Sequence, residues 1–186
     1  MIENPRGRAG AAVIERLDAA SFEEQLPALA AVLVDAVDDG ASVGFLAGFD
    51  VPAATAWWRA RSPAVGAGGL AVWVARDDGV VAGTISLAYA DKPNQRHRAD
   101  VLKLAVLRTH RGRGLARRLL AAAEHTAAAT GVRLLMLDTE TASAAESLYQ
   151  RAGWHRYGIV PAMAADPSGV PRDCSFFYKT IAAAGR

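Results

Sequence analysis

Apolar positions recur along this chain with two different periods, and each change of period marks an element. A short apolar stretch, Ala12 to Leu17, reads as a strand behind a loose polar leader over residues 1–10 that carries Pro5 and Gly7. Ser21 followed by Glu24 has the spacing of a capping box. Leu26, Leu29, Val32, Leu33, Ala36 and Val37 then share one face of an amphipathic helix that ends near Asp39-Gly40. A second helix is predicted from Asp50, with Pro52 in its first turn; it carries Trp57 and Trp58, adjacent rings read as packing.

The pattern then changes to strands. "LAVWVARDDGVVAGTISLAYA" reads as two strands joined at Asp78-Gly79, a strong hairpin signal. After the polar linker "DKPNQRHR", "ADVLKLAVLRTH" supplies a third strand of the same sheet. "RGRGLARRLLAAAEHTAAAT" follows as a helix whose apolar stripe includes Leu115, Leu119, Ala122 and Ala123 and which Gly131 closes. "VRLLMLDT" is apolar almost throughout and predicts a strand buried on both faces. "SAAESLYQRAG" is a helix stopped by Gly153, and "WHRYGIVPAM" and "DCSFFYKTI" are two further strands around a loop at Asp166 to Pro171.

Composition narrows the function classes. With 186 residues, 52% of them hydrophobic and 22% charged, the chain is long enough for one well-cored domain, expected over residues 11–186. A formal net charge of +2, spread along the chain, gives no nucleic-acid footprint. The apolar segments are too short or too interrupted to span a bilayer, so neither nucleic acid nor membrane is expected as a partner. The first ten residues lack the apolar core of a secretory signal, and the single cysteine, Cys174, has no disulfide partner in the chain. Both point to a cytoplasmic protein, with Cys174 read as a buried thiol. His97, His110, His125 and His155 show no ligand spacing, so no metal is expected.

The turn Arg111-Gly112-Arg113-Gly114-Leu115-Ala116 joins a strand to the start of a helix, where unbonded N–H groups and the positive end of the helix dipole converge. Gly112 and Gly114 let the backbone approach a phosphate oxygen, Ala116 keeps the first turn uncluttered, and Arg111 and Arg113 add positive potential. The alternative is a glycine-punctuated helix start with solvated arginines. No Gly-Lys-Ser/Thr follows, which excludes a Walker loop, and the third glycine of a dinucleotide fingerprint is missing.

These residues resemble the cofactor motif of the GNAT superfamily of N-acetyltransferases, Arg/Gln-x-x-Gly-x-Gly/Ala, at Arg111, Gly114 and Ala116. "AAESLYQRAGW" is similar to that superfamily's next motif, with Tyr149 and Gly153-Trp154. Ala142 departs from it, standing where many members have asparagine. "HRADVLKLAV", "LDTETASAAESLY", "GWHRYGIVPAM" and "FFYKTI" together look like the branch that includes the tabtoxin-resistance acetyltransferase. The resemblance implies a mixed α/β (α+β) fold, a largely antiparallel sheet of about seven strands flanked by about four helices. It further implies acetyl-CoA as co-substrate, a small amine or amino-acid-like acceptor, and a monomer or homodimer.

It implies roles as well. Leu104, Ala105 and Val106 border the cofactor where the strand splays from its neighbour, and the Val106 N–H polarises the thioester carbonyl. Tyr149 protonates the departing sulfur. Asp100, which opens the third sheet strand, and Asp138, which ends the following one, are the carboxylates that would attract and deprotonate an ammonium, and either could be the base. Glu140 is a weaker third candidate. Transfer is expected to be direct, without an acetyl-enzyme. The rival readings are a non-catalytic acyl-CoA-binding sensor and acetylation of a protein amine.

Overall fold

The computed structural model describes residues 12–182, so the expected leader over residues 1–10 lies outside the described residues. Strand β1 (Val13–Leu17) leads into helices α1 (Ala19–Glu24), α2 (Leu26–Asp38), α3 (Val51–Arg59) and α4 (Ser62–Gly66). The hairpin β2 (Leu70–Asp77) and β3 (Val80–Tyr89) follows, then β4 (Arg98–Val106), α5 (Leu115–Ala129), β5 (Leu134–Glu140), α6 (Ala144–Arg151), β6 (His155–Ala165) and β7 (Pro171–Thr180). The strands form one sheet in the order β1-β2-β3-β4-β5-β7-β6. Every adjacent pair is antiparallel except β4 with β5.

Seven strands match the expected sheet, and the helices differ from expectation at the beginning. Asp18 caps α1, accepting from the Ser21 N–H at 2.8 Å, while the Ser21 hydroxyl accepts from the Asp18 N–H at 2.9 Å. The capping box therefore runs from Asp18 to Ser21, and the Ser21–Glu24 reading was three residues late. The helix read as continuous is also broken at Gln25. Pro27 sits in the first turn of α2, where its missing N–H costs nothing, so a new helix starts there. This break and the one-turn α4 raise the expected four helices to six among the described residues.

Two apolar layers enclose the sheet. On one face Leu17, Phe22, Leu29, Leu33, Trp58, Val72 and Val74 join α1–α4 to the first strands. On the other, Trp73, Ile85, Leu87, Leu119, Leu135, Leu137, Tyr149 and Phe177 pack beneath α5 and α6. The β2–β3 turn places Asp78 at φ 49° and Gly79 at φ 81°, the paired left-handed residues that a two-residue hairpin takes and that Asp-Gly tolerates.

The feature that makes a site is the join between β4 and β5. They pair only over Arg98–Asp100 against Leu134–Met136, and beyond these residues they part. A bulge in β4 contributes: three steps from Leu102 to Ala105 face two from Ser86 to Thr84 on β3, and Lys103 takes φ 54°. β5 was expected to be buried on both faces. Instead Leu135 and Leu137 are buried under α5 and α6, while Asp138 on the opposite face is exposed to the opening. Among the described residues the α1–α4 layer packs on β1 to β4 and leaves that second face of β5 uncovered.

Candidate active site

The glycine turn lies at the mouth of that opening. After β4 a single 3-10 turn, Arg108–His110, brings the chain to Gly112 and Gly114, both left-handed at φ 76° and 77°. Gly114 caps α5 without any side-chain cap, so the first-turn N–H groups of a fifteen-residue helix are left available. A Cβ added at either glycine would meet nothing within 4 Å, so open space lies against the bare backbone. Leu115 is buried in the core, which limits it to a backbone role, and Ala116 is half-buried. This surface fits a pyrophosphate, with N–H donors and a helix dipole facing empty space.

The arginines around the turn are paired with carboxylates. Arg111 pairs with Asp39 and donates to the Val106 carbonyl at 3.2 Å; Arg113 donates to Asp77 at 2.8 Å. Arg108 pairs with Asp35 at 2.9 Å. They fasten the turn to the end of α2 and the tip of β2, so much of their charge is answered by carboxylates, and the pull on an anion comes mainly from the backbone.

At the end of β4, the Leu107 N–H donates to the Ala82 carbonyl of β3 at 2.8 Å. Because successive N–H groups alternate across a strand, Val106 and Leu104 aim theirs at the other edge, where β5 has moved away. Ala105, one residue out of phase, turns its N–H back toward β3 and its side chain to the α1–α4 layer.

Asp100 and Asp138 lie at the start of the opening, Asp100 opposite Met136 at the last paired position and Asp138 two residues further along β5. Asp100 is half-buried with Arg98 at 3.5 Å. Burial pushes its carboxyl above the ordinary carboxylate range, Arg98 pulls it back, and the negative charge of Asp138 pushes it up again. Asp138 does not end its strand, as read from sequence, because β5 continues to Glu140, which pairs with Cys174 in the sheet. Tyr149, on α6, lies against Trp154 and Phe177 and is 6% exposed. Burial and then the Asp138 charge hold its phenol well above the usual range, and its hydroxyl has no hydrogen-bond partner among the described residues. Asp138 thus acts electrostatically on both groups. Cys174 is buried, and burial with the nearby carboxylates raises its thiol, leaving it a poor nucleophile.

α6 is held by a polar knot. Glu146 accepts from Ser175 at 2.7 Å, Arg156 at 3.0 Å and the Ala142 N–H at 2.6 Å. Ala142, the residue that departs from the family motif, takes φ 62°, a conformation easier for asparagine; its bond to Glu146 holds it there.

A wall of aromatic side chains stands on the α3 side. Phe45 stacks on Phe49 at 3.8 Å and meets Trp57 edge-on at 5.4 Å. Lys103, lifted by the bulge, donates to the Val43 carbonyl at 2.7 Å, with its ammonium 5.3 Å from the Phe45 ring and 5.1 Å from Trp57. Trp57 is therefore part of this wall, whereas Trp58 is fully buried packing. No local signal marks a non-glycine residue for positive φ, and the wall is assembled from positions far apart in the chain.

The motif profile of the Acetyltransferase (GNAT) family matches residues 52–154, more than half of the chain. The chain belongs to that family and is an acetyl-CoA-dependent acetyltransferase. It is similar in structure to an N-acetyltransferase from Staphylococcus aureus Mu50, 19% identical over 93% of this chain and 100% of that one, with TM-score 0.77. The ribosomal-protein-alanine N-acetyltransferase from Brucella melitensis is 26% identical over 90% and 99%, with TM-score 0.74. A GNAT superfamily phosphinothricin acetyltransferase from Sinorhizobium meliloti, solved in complex with AcCoA, is 18% identical over 91% and 88%, with TM-score 0.74. No helix among the described residues is long and apolar enough to cross a membrane.

Proposed function

We propose that this enzyme passes an acetyl group directly from acetyl-CoA to the primary amine of a small, amino-acid-like molecule. The observation that carries this reading is the pair Asp100, at the last position where β4 pairs with β5, and Asp138, two residues beyond its partner Met136 and near enough for its charge to act on Asp100. An amine arrives as ammonium and must lose a proton before it can attack. A carboxylate with a raised pKa is a better base for that step than an ordinary one. Asp100 takes the proton, directly or through water, while Asp138 attracts the ammonium and keeps Asp100 basic. The Gly112–Ala116 backbone holds the pyrophosphate of acetyl-CoA, with Leu104 and Val106 alongside. The Val106 N–H stabilises negative charge developing on the acyl oxygen. Tyr149, a phenol and so protonated at neutral pH, donates its proton toward the departing sulfur.

A small acceptor is supported by the loops. The Ala47 N–H donates to the Pro167 carbonyl at 2.7 Å and the Ser42 hydroxyl to the Ala165 carbonyl at 3.3 Å, tying the α2–α3 loop to the β6–β7 turn. That tie narrows the acceptor side against a polypeptide tail. The test is mass-spectrometric detection of acetylated product from a panel of small amines and peptide N-termini, with release of the coenzyme thiol followed in parallel. Small-molecule products support the reading, whereas acetylation confined to peptides would overturn it.

A further inference from the structure

The Phe45–Trp57 wall holds two cations with no carboxylate partner among the described residues. Lys103 is half-buried, with the Val43 carbonyl as its hydrogen-bond partner and the Phe45 and Trp57 rings about it. Arg61 lies over the same Trp57, its guanidinium carbon 3.2 Å from the ring centroid, and donates to the Trp57 carbonyl at 2.6 Å. Among the described residues neither makes a salt bridge, and the other arginines and lysines without one are all exposed, whereas Lys103 and Arg61 are half-buried. Burial lowers the pKa of both groups, and Arg61 lowers that of Lys103 further; the Asp138 charge alone acts on Lys103 in the opposite sense. Ring faces and carbonyls soften the cost of holding two like charges out of water, and an anion between them would remove more of it. Lys103 stands three residues along β4 from Asp100, about 10 Å of strand at the usual rise, so this charge lies within a small molecule's reach of the proposed base.

We propose that Lys103 and Arg61 are the counter-ion for an anionic group on the acceptor, so that the enzyme selects amines that also bear a carboxylate or phosphonate. This rests on the function proposed above and goes further by naming what the acceptor carries besides its amine. Asp138 and Asp100 take the ammonium end, Lys103 and Arg61 take the anionic end, and the Phe45–Phe49–Trp57 wall receives the apolar part between them. A charge-assisted contact of this kind is worth roughly tenfold or more in discrimination, because the uncharged analogue leaves both cations unanswered.

The test is a set of matched acceptors: α-amino acids and aminophosphonates, each beside the amine or amide that lacks its charge. In the unaltered enzyme the charged member of at least one pair is expected to have a kcat/KM about tenfold or more above its partner. Lys103→Met and Arg61→Gln should each shrink that ratio several-fold, mainly through KM, with Lys103→Arg retaining most of it. A ratio near unity in the unaltered enzyme would overturn the inference while leaving the transferase reading intact. A ratio that persists in both variants would overturn it equally. If no amine of any kind is acetylated, the proposed function falls and this inference falls with it. Because the ratio is taken within one enzyme preparation, a loss of folded protein in a variant cancels.

Discussion

Replacing Gly114 by alanine separates the cost of backbone strain from the loss of the cofactor site. Gly114 sits at φ 77° with nothing within 4 Å of a Cβ, so the added methyl clashes with no protein atom, and the structural cost is that of a left-handed non-glycine residue. That cost is about 1–2 kcal/mol, which for a chain of this size corresponds to roughly 2–8 °C in Tm. Gly131, just past the far end of α5, has φ 87° and is equally open, so Gly131→Ala carries the same strain and serves as the control. The two differ in what the methyl faces. At Gly114 it occupies the approach to the first-turn N–H groups. The loss of one charge-assisted hydrogen bond to phosphate, about 1.5–3 kcal/mol, weakens acetyl-CoA binding by roughly 10- to 150-fold. Calorimetric titration with acetyl-CoA, beside thermal melts, reads both quantities. Equal affinities for the two variants, or equal losses, would refute the placement of the pyrophosphate at this turn.

Three further outcomes follow from the same geometry. Asp100 must be ionised to act as base and its pKa is raised, so the acid limb of kcat/KM against pH should lie above the ordinary carboxylate range. Asp138→Asn removes a charge that raises it, and should move the limb to lower pH; an unmoved limb would remove Asp100 from that role. Tyr149→Phe deletes a hydroxyl without a protein partner, so Tm should hold while kcat falls about 100-fold or more; a kcat within a few-fold of the parent would discard Tyr149 as the acid. Glu146→Ala leaves the Ala142 N–H without its partner, breaks the Arg156 ion pair and leaves the Ser175 hydroxyl only Thr141, and should cost about 2–3 kcal/mol in denaturant unfolding. A cost near zero would mean the knot does not hold α6.

Much of this site could be read from sequence because its signals are local. Asp78-Gly79 demands a turn that few other dipeptides accept, and Gly112 and Gly114 just before an apolar helical stripe mark an open helix start. The start of α1 was misread because two overlapping capping boxes fit, and only the fold decides that Asp18, next after β1, is the cap. The parting of β4 from β5 has no pattern of its own, and the apolar run of β5 looked buried on both faces because only the fold shows that the α1–α4 layer stops short of it. The ion pairs of Arg111 with Asp39 and of Arg113 with Asp77 have no local signal, because the partners lie more than thirty residues away in the chain. The cluster of Phe45, Trp57, Arg61 and Lys103 depends on a bulge at a lysine, where propensity gives no warning.

The most direct test of the account is the rate of amine acetylation in Asp100→Asn, Asp138→Asn and the double variant, with acetyl-CoA affinity measured in each. Two carboxylates acting on one proton predict losses in kcat/KM of about 10²- to 10⁴-fold for the more damaging single change. They also predict a double variant little worse than that single one, since residues that act as a unit are not additive, and acetyl-CoA binding unchanged throughout. Single variants within a few-fold of the parent enzyme would contradict the account, and so would losses that simply multiply.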